Sequence, residues 1–132
     1  MRNRLTHTGF TLVELVMVIV IIGLLAAVVM PKFSDIKTEA QSAAEEGAVA
    51  AVRSGIKLAH MSSLAQGSDT YPTTLDSASN GDASETNPLF TDVVEGGITD
   101  GNWKKTGTRR YEYKPTKARY TYDRSTGKFT KL

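Results

Sequence analysis

A chain of 132 residues has room for one small domain and an extension, and having no cysteine it excludes disulfides and thiolate metal sites. Sixteen Lys and Arg oppose fourteen Asp and Glu, so the net charge of +2 singles out no polyanionic partner. The charges are nevertheless sorted along the chain: four basic and twelve acidic residues between positions 10 and 102, then ten basic and two acidic from Trp103 onward.

Residues 1–9 are polar and positive, with Arg2 and Arg4. From Phe10 to Met30 the chain is apolar apart from Thr11, Glu14 and Gly23. As a helix this run would rise about 31 Å, enough to cross a hydrocarbon core of ~30 Å. Pro31 closes it, giving an expected transmembrane helix over residues 10–31. A secretory signal has a shorter apolar core with a small-residue cleavage site beyond it. Here the run is longer, and an acid sits within its first turn and a half. A carboxylate at a membrane centre costs about 2.5–3.5 kcal/mol on insertion scales, so Glu14 needs a reason.

Residues 32–66 read as an amphipathic helix. Phe33, Ile36, Ala40, Ala44, Gly47, Ala51 and Leu58 form one stripe, with Ala48, Val52, Ile56 and Ala59 beside it. Acids lie early (Asp35, Glu39, Glu45, Glu46) and Arg53 and Lys57 late, the order the helix dipole favours. Gly67 is a stop signal. Residues 67–102 are polar and rich in turn signals; Leu75, Leu89, Phe90, Val93 and Val94 are the anchors this connection can bury, with a short helix expected near residues 87–94. Residues 103–132 are expected to form a meander, with alternation from Thr108 to Leu132. Tyr111 and Tyr113 share one strand face and Tyr120 and Tyr122 another, with turns at 114–117 and 123–127 and Trp103 as an anchor. The expected fold is α+β: a long N-terminal helix packed on a C-terminal antiparallel meander of about three strands.

The segment Gly9-Phe10-Thr11-Leu12-Val13-Glu14, behind its basic leader, resembles the cleavage and methylation motif of type IV prepilins and type II secretion pseudopilins. That resemblance implies a pilin-like fold and a prepilin peptidase that cuts after Gly9 and methylates the new amino group of Phe10. It implies an inner-membrane precursor, single pass, with the leader in the cytoplasm, as Arg2 and Arg4 also predict. An assembly ATPase and an inner-membrane platform would then build a homo-oligomeric helical filament, extracellular or periplasmic. In such a filament Glu14 of one subunit meets the Phe10 amine of a neighbour. Spacing alone equally allows Glu14 to pair with its own amine, or to stay protonated. In related filaments the segment corresponding to Gly23–Pro31 is often unwound; the isolated subunit is expected to show a kink at Pro31. Many type IV pilins close a loop with a disulfide, which this chain lacks. Glu14 favours a shaft subunit over a tip initiator. The residues do not separate pilin from pseudopilin, or major from minor subunit.

Weaker signals remain. The basic tail with its tyrosines reads as a solvated sheet face, as a surface complementary to the acidic connection of another subunit, or as a site for DNA, which a minor tip subunit would bind. Asp92, Glu95, Asp100 and Asn102 are oxygen donors in a loop, but their spacing matches no calcium site, and no metal or other cofactor is assigned. His60 is a lone histidine on the amphipathic helix and His7 falls in the leader. No phosphate loop, paired histidines or set nucleophile appears, so nothing argues for an enzyme.

Overall fold

A computed structural model describes residues 9–132; Arg2, Arg4 and His7 lie outside the described residues. One helix, α1, spans Leu12–Ala65, and the chain divides into two compact units between Glu39 and Ala40. In the first unit α1 is continuous through Gly23 and Pro31. Pro31 has no N–H to give the carbonyl of Ala27, so the helix loses one bond there without ending. Its most apolar 18-residue window has a mean hydropathy of 3.1, and none of it is buried by the chain.

The second unit begins with the rest of α1. Glu45, Val49, Val52, Gly55 and Ile56 are its buried residues, three or four apart along one face. The stripe favoured by periodicity is rotated away: Ala40, Ala44, Gly47, Ala51 and Leu58 are exposed, and the neighbouring row with Val52 and Ile56 meets the sheet. Glu45 and Gly55 belong to the buried row but carry no apolar signal, which made the alanine row look more continuous. The helix stops as Gly67 predicts. Gly67 takes φ +81°, its N–H reaches the Leu64 carbonyl at 2.9 Å, and the Ser68 N–H reaches Ser63 at 3.0 Å. This double closure is a Schellman cap.

The sheet has five antiparallel strands in sequential order rather than three: β1 Gly81–Asp82, β2 Trp103–Gly107, β3 Arg110–Tyr113, β4 Ala118–Asp123 and β5 Lys128–Lys131. The expected meander is β3–β5. Strand β2 was hidden because Lys105 occupies one of its inward positions, and β1 is too short to show a period. Trp103, Tyr111, Tyr113, Tyr120, Tyr122 and Phe129 line the inner face and are buried, as the alternation predicts. Phe90 meets Trp103 edge-on at 5.4 Å, and Phe129 stacks on Tyr120 at 5.2 Å. Such pairs add ~0.5–1.5 kcal/mol each beyond area burial.

The connection between α1 and β2 is anchored by Leu75, Leu89 and Phe90, all fully buried. No helix forms over residues 87–94. Phe90 sits at φ +62°, its N–H held by Asp76 and its ring in the core, and the N–H groups of Val93 and Val94 both turn back to its carbonyl. A left-handed residue there stops helical propagation.

With no disulfide, charge pins this connection to the sheet. Asp76, fully buried, accepts the Lys105 ammonium at 2.5 Å, the Tyr111 hydroxyl at 2.9 Å, and the N–H groups of Phe90 and Ala78. Burial and the Asp76 carboxylate push the Tyr111 phenol well above its ordinary range. Two more pairs join acidic middle to basic end: Lys114–Asp82 at 2.8 Å and Lys131–Glu45 at 2.9 Å. Three of the ten basic residues from Trp103 onward are thus paired with acids of the preceding segment.

Candidate functional site

Thr11 caps α1. Its carbonyl accepts the Leu15 N–H at 3.2 Å, the first bond of the helix, and its Oγ1 accepts the Glu14 N–H at 3.3 Å. Glu14 reaches back: its Oε2 accepts the Thr11 N–H at 2.8 Å and the Thr11 hydroxyl at 3.0 Å. This reciprocal arrangement is a capping box, and it satisfies helix-start donors that would otherwise need water. The sequence reading missed it, although Thr11-Leu12-Val13-Glu14 carries the Thr-x-x-Glu signature that announces one. Both bonds fall on Oε2, and among the described residues no hydrogen bond reaches Oε1.

Gly9 and Phe10 precede the helix, in irregular and exposed chain, with Phe10 92% exposed. Side chains from Leu12 to Met30 stand out from α1 with no packing partner among the described residues. A surface of this kind demands lipid or other apolar helices. Glu14 is the one acid on it. Gly23 lies mid-helix with open space around its Cα, so a close neighbour could approach there.

The head's other candidates do not converge. His60 Nε2 pairs with Asp69 at 2.8 Å and its ring stacks on Tyr71 at 3.9 Å, a local lock where the helix ends. Asp100 is turned onto Asn102, and Asp92 onto Thr74 and Thr91. Among the described residues no three His, Asp or Glu side chains gather around one point.

Fold and helix start together define a class: an apolar N-terminal helix behind a Gly–Phe junction, carrying a small α+β head in the manner of a pilin. A family model described as "Prokaryotic N-terminal methylation motif" matches residues 4–30. The chain is 49% identical over 51 residues to the type IV narrow pilus major component of Thermus thermophilus, covering 39% of this chain and 44% of that one. It is 41% identical over 51 residues to the type IV major alpha-pilin of Moraxella bovis, covering 39% and 32%. The chain thus spans less than half the length of these curated relatives. No solved structure matches it. Motif and relatives make this chain similar to type IV pilins over the stretches they match.

Proposed function

We propose that the protein is a structural subunit of a type IV pilus or pilus-like filament, made as a membrane-anchored precursor. Residues 1–9 act as a leader, a prepilin peptidase cuts between Gly9 and Phe10, and the new Phe10 amine is methylated. Residues 10–31 hold the precursor in the inner membrane and later the filament core. Residues 32–66 continue the helix into the head, residues 67–102 form its polar connection and residues 103–132 most of its sheet. An assembly ATPase and a membrane platform move subunits from bilayer to filament.

The observation that carries this reading is Glu14 on an otherwise apolar, unpacked helix, five residues after Gly9, with Oε1 open. Cleavage places an ammonium on Phe10, whose reference pKa near ~8 keeps it largely charged at neutral pH. Buried alone, an ammonium and a carboxylate each cost several kcal/mol, and pairing removes much of that. Oε2 holds the capping box while Oε1 receives the amine of a neighbouring subunit, so the helix start survives assembly. Transfer itself exchanges lipid for equally apolar helices and is nearly neutral, which leaves the ion pair to set axial register.

Mass spectrometry of protein from a host that processes it tests the reading. A terminus at methylated Phe10 is expected; an intact Met1, or a terminus well beyond Phe10, overturns it.

A further inference from the structure

In a meander, alternate turns lie at the same end of the sheet. The β2–β3 and β4–β5 turns therefore share one end, and they bring Arg109, Arg110, Arg124 and Lys128 together there. Arg110, Arg124 and Lys128 are exposed and Arg109 half-buried. Among the described residues none of the four is in an ion pair, unlike Lys105, Lys114 and Lys131. The acid of these turns, Asp123, is folded back onto Ser125 and Thr126. Beside the first turn a shallow trough runs between Thr106, Thr108, Arg109, Arg110 and Thr121.

The connection before β2 shows the opposite. Glu85, Asp92, Glu95 and Asp100 are exposed, and no cation lies on any of them among the described residues. Glu85 follows β1 and Asp100 precedes β2, at the far end of the sheet from the basic turns. These four cations and four acids are among the charged groups that, among the described residues, make no ion pair within the head.

We propose that the basic end of one head docks on the acidic connection of the next copy of this chain. The contact is head-to-tail, the kind that propagates without closing when subunits are related by a screw. It rests on the filament reading and adds a second, solvent-side determinant of register. A second copy fits better than a nucleic acid because the same chain carries the exposed acids that would complement the basic turns. On the outer sheet face Asp82, Lys104, Glu112 and Arg119 stand side by side with alternating sign, which offers an extended polyanion no basic track.

The test is charge reversal and its rescue in a host that processes and assembles the full chain, read as sheared, sedimentable filament. R110E/R124E should lower filament yield about tenfold, because like charges across a contact are costly. Adding E85K/E95K to the same chain should restore it to within about twofold, with the same weakening by salt as wild type. Circular dichroism of each variant in detergent confirms that the head is folded, and R110Q/R124Q gives a milder version without reversal. Loss of filaments with no rescue by the acid-to-lysine pair overturns the proposal, as does R110E/R124E assembling like wild type at every salt concentration. Retarded binding of duplex DNA by the wild-type chain, abolished by R110E/R124E, also overturns it in favour of a nucleic-acid site. A wild-type chain that yields no filament at all removes the filament reading itself, a distinct outcome.

Discussion

The Thr11 N–H and the Glu14 carboxylate face each other across 2.8 Å, so the one acid of the apolar run also starts the helix. Oε2 serves the helix, and on the proposed reading Oε1 receives the amine of a neighbouring subunit. The two roles separate by mutation. Thr11→Ala should cost about 1 kcal/mol of helix-start stability and leave filaments sedimentable. Glu14→Leu should stop filament formation while Gly9–Phe10 is still cleaved. Filaments from Glu14→Leu at wild-type yield would show that the acid serves only as a cap.

The Asp76–Lys105 pair stands where a disulfide could have tied the connection to the sheet. Removing one partner leaves an uncompensated buried charge, which typically costs ~3–5 kcal/mol. Either Asp76→Ala or Lys105→Met should therefore remove a large share of the head's stability, given a total of order 5–15 kcal/mol for a small domain. The sole tryptophan, Trp103, is fully buried beside this network and reports the transition by fluorescence in urea with the detergent-solubilised chain. The double variant Asp76→Leu/Lys105→Met should recover a large part of the loss, since no lone charge remains. Additive losses would show that the pair is not coupled.

Gly55 is the point where α1 and the connection touch backbone to backbone. A Cβ built there would lie 1.8 Å from the Val93 carbonyl oxygen, a position no side-chain rotation relieves. Gly55→Ala should cost ~1–3 kcal/mol through overpacking, against the helix-propensity gain of about 1 kcal/mol that alanine would otherwise bring. Gly47, with open space around it, is the control: Gly47→Ala should stabilise. Thermal melts of the two variants should move in opposite directions.

These interactions show what the sequence could and could not disclose. The apolar helix, its stop at Gly67, the tyrosine faces of β3 and β4 and the buried anchors Leu75, Leu89 and Phe90 follow from periodicity and turn chemistry, which are local. What escaped is long-range. Lys105 reads as a solvated lysine until Asp76, 29 residues earlier, is folded against it, and that lysine is why β2 was hidden. Glu45 reads as an early-helix acid until donors from β4, β5 and the β3–β4 turn converge on it. At the helix start Gly9, Phe10 and Glu14 were legible as a motif, whereas the capping role of Thr11 was overlooked despite being local.

The last prediction concerns pH, and Glu45 supplies its sign. Burial pushes the Glu45 carboxyl upward. The Thr116 and Tyr120 hydroxyls and the Lys131 ammonium all donate to it, and together they outweigh burial and hold it below its ordinary value. A carboxylate depressed in the folded state contributes its full stabilisation above the unfolded pKa, about 4.3 for glutamate, and loses it as pH falls through the folded value. Head stability should accordingly be level near neutrality and decline through the acid range. Glu45→Gln should lower stability at pH 7 and flatten part of that decline, because the titrating group is gone. Tyr120→Phe removes one donor without adding charge, so it should cost ~1–3 kcal/mol at neutral pH and shift the acid decline toward higher pH. Urea midpoints measured by Trp103 fluorescence between pH 3 and pH 7 would decide it: a Glu45→Gln profile parallel to wild type would place the acid sensitivity elsewhere in the head.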